Sequence, residues 1–246
     1  MRSFFEGFML SVCFFTQIPA LYHVKNLTHK TYKFLALTIP INGLILASIT
    51  ILFYHLLSMH ANEIYVAIFA SVFYLFMYGF LHLEAVADII DAYYGKHGGK
   101  DAHEILKDSH VGALGAIGTF ALVILKVSAM SYLLIEGKYI GIVAVLFVSR
   151  LMVVGAIYRF EFHSDSKFIH SLKEPLDHIS MIILAIIALL ILIGLHHPLL
   201  VLPALFITLI LKMWLMRHIG FLNGDGLGFI LEINELILFN ILIFTL

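Results

Sequence analysis

Residues 34–57 read FLALTIPINGLILASITILFYHLL, 24 positions without a single Asp, Glu, Lys or Arg. A helix of that length rises about 36 Å, enough to cross the roughly 30 Å hydrocarbon core of a bilayer. Working outward, six more apolar runs of similar kind lie at about 64–81, 112–134, 140–158, 178–194, 198–216 and 229–246. Such uninterrupted runs exclude a transmembrane barrel, whose strands would alternate. Lipid then leaves only helices to satisfy the backbone. The sequence therefore predicts an all-α integral membrane protein, a polytopic bundle of about seven spanning helices forming one domain over residues 1–246. An eighth apolar segment, residues 3–18, is short and interrupted by Glu6. It is predicted to be an interfacial or half-inserted helix ending at Pro19, with a full span as the alternative. No small-residue cleavage site follows it, so it does not read as a removable signal peptide.

Composition agrees. Of 246 residues, 61% are hydrophobic and 13% charged, whereas soluble domains run at about 45–50% and 25%. The net charge of −1 provides no basic footprint for nucleic acid. Cys13 is the only cysteine, which excludes a disulfide framework and a cysteine-based zinc site. The 14 histidines are scattered, with no His-Glu-x-x-His pattern to suggest zinc hydrolysis. No Walker-type phosphate loop occurs.

Lysine and arginine set the orientation. Lys25, Lys30 and Lys33, then Lys96, Lys100 and Lys107, then Arg159, Lys167 and Lys173, and finally Arg217 fall in alternate connections. The intervening turns hold only Lys138. By the positive-inside rule the basic connections are predicted to be cytoplasmic, and a multi-pass protein of the cell inner membrane is expected.

The longest polar interval is residues 82–118, HLEAVADIIDAYYGKHGGKDAHEILKDSHVGALGAIG. Glu84, Asp88 and Asp91 are spaced by four and three, which on a helix places them within roughly 60° of one another. Like charges on one stripe repel unless a cation or proton holds them together. A solvated surface helix is the bland alternative. Because the stripe abuts an apolar span in a charge-poor chain, a divalent metal site for a phosphate-bearing substrate is the preferred reading, with Mg²⁺ as the ion. Asp101, Glu104 and Asp108 follow after a glycine break. Gly112, Gly115 and Gly118 read first as a close-packing edge and second as a phosphate-receiving helix start. Near the C-terminus, Asn223-Gly224-Asp225-Gly226-Leu227-Gly228 reads as a loop, with Glu232 and Glu235 in the first turns of the last span. Together they read as a second wall of the same site. Arg150 either snorkels to the surface or clamps a phosphate. His82 and His110 bracket the acidic interval as phosphate donors, as acid/base groups or, more commonly for such positions, as solvent-bonded interfacial residues. Lys126, in mid-span, has no reading.

These segments, in this order, resemble the cobalamin synthase family of adenosylcobinamide-GDP ribazoletransferases. The family's acidic stripe is matched by Glu84, Asp88 and Asp91, its Lys-Asp-Ser-x-x-Gly element by Lys107, Asp108, Ser109 and Gly112, and its Gly-Asp-x-Leu-Gly element by Gly224, Asp225 and Gly228. FFTQIPA near the N-terminus and Ser149-Arg150 extend the likeness over nearly the whole chain. Gln17 and His110 stand where the family carries arginines, Ala92 where it carries glycine, and Asn223 where it carries threonine. The resemblance implies transfer between adenosylcobinamide-GDP and α-ribazole, or its 5′-phosphate, releasing GMP at the cytoplasmic membrane face. It implies Mg²⁺ on Glu84, Asp88 and Asp91, with Asp91 or Asp225 as proton acceptor. Lys107, Asp108, Ser109, His110, Gly112 and Arg150 would surround the substrate phosphates. A homo-oligomer is left open.

Two other classes compete. The CDP-alcohol phosphotransferases share acids at helical spacing, but their Asp-Gly-x-x-Ala-Arg hallmark is missing. An ion-coupled transporter would place acids near the midplane and show an inverted repeat of broken helices; no such repeat is seen, and the acids gather near one face.

Overall fold

In the computed structural model, residues 2–19, 27–99, 101–108 and 110–245 are described, and they are helical with no strand among them. The elements are α1 (Arg2–Phe15), α2 (His29–Ser58), α3 (Glu63–Met77), α4 (Leu81–His97), α5 (Ala102–Ile105), α6 (Ala113–Ile135), α7 (Tyr139–Arg159), α8 (Lys167–Lys173), α9 (His178–Gly194), α10 (Val201–His218) and α11 (Gly224–Thr245). A 3₁₀ turn, Pro198–Leu200, leads into α10.

The apolar run 34–57 lies within α2. Thr28 starts that helix by accepting a hydrogen bond from the Thr31 N–H at 3.2 Å. Five helical segments are long and apolar enough to cross a bilayer, and up to seven if each of two bent pairs counts as one span. The chain is thus an all-α polytopic membrane protein. With 14 residues, α1 is about 21 Å long and too short to cross alone. It lies along α2, and its buried Glu6 accepts from Arg2 Nε at 2.9 Å.

Helix α7 is the hub, with α2, α11 and α10 packed around it. Gly43 of α2 makes the α2–α7 crossing possible: a Cβ there would lie 2.1 Å from the Leu146 carbonyl oxygen. The α3–α4 pair bends by 81°. Gly79 and Phe80 both take positive φ at the bend, 77° and 60°. For Phe80 that conformation costs roughly 1 kcal/mol, which the surrounding packing must offset. Just before the bend, the Gln17 N–H donates to the Met77 carbonyl at 2.7 Å and ties the end of α1 to this corner. The bend turns the acidic helix α4 across the end of the bundle, where α6 and α11 pack on it.

One boundary differs from the sequence reading. The last helix begins at Gly224, so Asp225 sits in its first turn and is not in a loop. Asn223 explains this. Its Oδ1 accepts from the Gly226 N–H at 2.9 Å, a side-chain cap that starts the helix despite the glycines around it.

Candidate active site

The site forms where α11 crosses α4. Gly228 packs directly on Ala85, and a Cβ on Gly228 would fall 2.7 Å from the Ala85 Cβ. Gly228 is one turn after Asp225, and Ala85 lies beside Glu84 and one turn before Asp88. The small–small contact therefore carries Asp225 over the acidic face of α4. Asp88 lies in the field of Asp225, Glu84 and Asp91, and Asp225 in that of Glu84. Among the described residues, neither Glu84 nor Asp88 has a hydrogen-bond or ion-pair partner. Asp225 Oδ2 accepts from the neutral Asn223 Nδ2 at 2.6 Å. Three carboxylates from two helices thus share one electrostatic neighbourhood with no side-chain cation paired to them among the described residues, and their oxygens do not all lie within 4.8 Å of one another.

Asp91, placed in the same stripe by spacing, has a different local task. Its Oδ2 accepts from the Gly112 N–H at 2.6 Å and its Oδ1 from the Gly115 N–H at 2.8 Å. It thereby caps the N-terminus of α6 from a neighbouring helix, satisfying donors that α6 leaves open. A Cβ on Gly112 or Gly115 would lie 2.5 or 2.3 Å from an Asp91 oxygen. The glycines read as a packing edge serve here to admit a carboxylate, and Gly118 packs on Ile90.

Next to Asp225 a cavity of about 180 Å³ runs between α1, α4, α7, α8 and α11, lined by Phe15, His82, Ile157, Ile169 and Gly228 among others. The His82 ring is stacked between those of Phe15 and Tyr78, with centroids 6.1 Å from each. A wider basin of about 490 Å³ opens beside Asp91, lined by Tyr94, Asp108, His110 and Gly112. His110 Nδ1 lies 2.6 Å from Asp108 Oδ1, and that contact raises the His110 pKa above the ordinary imidazole value.

The remaining sequence-predicted residues are not gathered in one place. Ser109 lies outside the described residues. Lys107 pairs with Asp165 at 3.0 Å, and its ammonium holds the Asp165 carboxyl below the usual carboxylate range. Arg150 neither snorkels nor reaches the stripe. It is 3% exposed, nine residues or about 14 Å from the end of α7. Its Nη1 lies 2.5 Å from Glu235 Oε1, and its Nη2 donates to Tyr74 Oη at 3.2 Å.

Glu232 and Glu235 are likewise not a second wall. Glu235 stands ten residues beyond Asp225, about 15 Å deeper along α11. Lys126 Nζ lies 2.6 Å from Glu232 Oε2 and 2.5 Å from Glu235 Oε2, and all of these side chains are nearly inaccessible. Tyr74 Oη donates to Glu235 at 2.8 Å. Two cations and two carboxylates therefore form a neutral knot near mid-bundle, and Lys126 acquires its explanation. These two glutamates do lie near the middle of their helix, so the ground stated against a transporter, that all acids gather at one face, fails for them. Both are paired in the interior, Glu232 with Lys126 and Glu235 with Lys126 and Arg150.

Residues 7–243 match the family model described as Cobalamin-5-phosphate synthase. Curated proteins from Shigella flexneri and Escherichia coli K12, both named Adenosylcobinamide-GDP ribazoletransferase, are each 26% identical over 237 residues. The alignments cover 94% of this chain and 96% of each relative. No solved structure matches the chain.

Proposed function

Because the chain belongs to the cobalamin-5-phosphate synthase family, a family of transferases acting late in cobalamin biosynthesis, we propose that it catalyses the ribazole transfer named for its relatives. The substrates are adenosylcobinamide-GDP and α-ribazole or its 5′-phosphate. An acceptor hydroxyl oxygen attacks the cobinamide-side phosphorus of the pyrophosphate. The bond from that phosphorus to the bridging oxygen breaks, and GMP leaves with the electron pair. The hydroxyl proton passes to a carboxylate of the site.

The observation that carries this reading is the gathering of exposed Glu84 and half-buried Asp88 on α4 with half-buried Asp225 on α11, none of them paired with a side-chain cation among the described residues. An all-oxygen, anionic donor set of this kind fits Mg²⁺, which is usually held by a few carboxylates together with substrate phosphates. When bound there, Mg²⁺ would neutralise charge on the pyrophosphate and on the departing GMP. Glu84, Asp88 and Asp225 are the residues that would hold it. Asp91 contributes chiefly by fixing the α6 start against α4, and its carboxylate retains lone pairs toward the basin it lines. Asp225 lines the His82 cavity and is the proton acceptor favoured of the two carboxylates considered, since both Asp91 oxygens already accept backbone N–H groups. His110, held toward its cationic form by Asp108, stands in the basin as a donor to phosphate oxygens. Reaction takes place at the cytoplasmic end of the bundle.

The test is turnover of Glu84→Gln, Asp88→Asn and Asp225→Asn variants in detergent, followed by GMP release. Each loss of a charge-stabilising group is expected to lower kcat by roughly 10²–10³ while helical content and elution volume stay unchanged. Near-normal turnover by Asp225→Asn would remove α11 from the site.

A further inference from the structure

A second cluster lies outside these carboxylates. His103 on α5 and His163 and Asp165 in the α7–α8 connection bring their ligand atoms within 4.8 Å of one another. The approach is built from both sides. Asp101 caps α5 by accepting from the His103 N–H at 3.0 Å. The His163 N–H donates to the Leu222 carbonyl at 2.7 Å, fixing the connection to the segment before α11. Phe221 packs against both imidazoles, with centroids 5.4 and 4.9 Å away, and the two imidazoles lie 4.4 Å apart.

We propose that His103, His163 and Asp165 form a binding site for a divalent transition ion of the zinc class, separate from the acidic site on α4. Bonds of about 2.0–2.1 Å in a tetrahedral site place neighbouring ligand atoms about 3.3 Å apart. His103 Nε2 and Asp165 Oδ2 already stand 3.2 Å apart. Two imidazoles with one carboxylate favour a borderline ion over Mg²⁺, which prefers oxygen. Three protein ligands leave coordination positions open, and they face a cavity of about 290 Å³ also lined by Asn223 and Gly224. The ligands are part-exposed, so the ion has an entry path. Lys107, 3.0 Å from Asp165 Oδ2, is the cation now neutralising the carboxylate, and an incoming ion must displace it. When bound, the ion ties α5 to the α7–α8 connection, two segments about 60 residues apart, at the rim of the bundle.

The experiment uses the full chain in detergent, purified without a polyhistidine tag and treated with chelator. Co²⁺ is added as the probe and its visible ligand-field absorption followed, and Zn²⁺ is then used to compete it away. The expected result is one saturable Co²⁺ site, emptied by stoichiometric Zn²⁺ and unaffected by a large excess of Mg²⁺. His103→Ala and His163→Ala should each weaken binding by more than about 100-fold, the upper range for losing a mere outer-shell partner. Lys107→Met should tighten it, a gain that misfolding does not imitate. Absence of a saturable Co²⁺ or Zn²⁺ site would overturn the proposal. So would wild-type affinity in both histidine variants, or weaker binding in a folded Lys107→Met protein.

Discussion

Replacing Lys126 by Met removes one of the two cations that balance Glu232 and Glu235 in the interior of the bundle. The consequence is uneven. Glu235 keeps Arg150, with 2.5 Å between Nη1 and Oε1, and keeps the Tyr74 hydroxyl at 2.8 Å. Glu232 loses its only ion-pair partner among the described residues, and at 1% exposure water does not replace it. Breaking a buried pair from one side costs about 3–5 kcal/mol, which for a chain of this size corresponds to a fall of roughly 6–20 °C in Tm. The second substitution identifies the cause. Lys126→Met with Glu232→Gln leaves one balanced pair, Arg150–Glu235, and should restore most of the loss. Lys126→Met with Glu235→Gln leaves Arg150 and Glu232 both without their partners, and should be no better than the single variant. The assay is unfolding in mixed micelles, followed by circular dichroism and by retention on a sizing column. An unchanged midpoint for Lys126→Met, or equal rescue by the two double variants, would refute the neutral-knot reasoning.

Other outcomes follow from the same geometry. Asp91→Asn keeps one acceptor oxygen where two N–H donors need one each, so it should cost about 1 kcal/mol of stability and loosen the start of α6. Faster amide exchange at Gly112 and Gly115 would report it, and unchanged exchange would contradict the cap. Gly115→Ala drives a Cβ to within 2.3 Å of an Asp91 oxygen and should destabilise more than Gly118→Ala, whose added Cβ meets the movable end of Ile90. His110 titrates above its ordinary value because Asp108 accepts from it. The raised folded value means that this contact contributes in full below the unfolded pKa and is lost as pH rises through the folded one. Asp108→Asn should return the imidazole titration, read by NMR, to its ordinary range; no movement would remove the pair. For topology, cysteines introduced at Ser164 and Lys138 should label from opposite sides of sealed vesicles, with Ser164 cytoplasmic, and labelling from one side would overturn the orientation.

The apolar runs were legible because a bilayer imposes a length and composition on each helix independently of its neighbours. Residues 34–57, 140–158 and 178–194 each lie within or upon a helix of the structure. What sequence spacing could not supply was partnership across segments. Lys126 had no reading because its counter-charges lie 106 and 109 residues later, on α11. The same long-range pairing turned Arg150 and Glu235 from presumed site residues into the interior knot. Asp91 shared the spacing of Glu84 and Asp88, so only the placement of α6 distinguished a cap from a free carboxylate. The glycine triplet that admits the cap was visible in the sequence, and an acid 21 residues before a glycine-rich helix start was its signal. The early start of α11 was missed because Gly224, Gly226 and Gly228 obscure a helix that Asn223 nonetheless initiates. His103 and His163 went unnoticed because nothing in either segment points to the other.

The acidic crossing of α4 and α11 is proposed to transfer ribazole onto the cobinamide phosphate. The most direct measurement incubates the detergent-purified chain with adenosylcobinamide-GDP, α-ribazole 5′-phosphate and Mg²⁺, and resolves products by chromatography with mass detection. The expected result is GMP and adenosylcobalamin 5′-phosphate in equal amounts, abolished by chelator and by Asp88→Asn. Folded protein that releases no GMP and forms no joined corrinoid would contradict it.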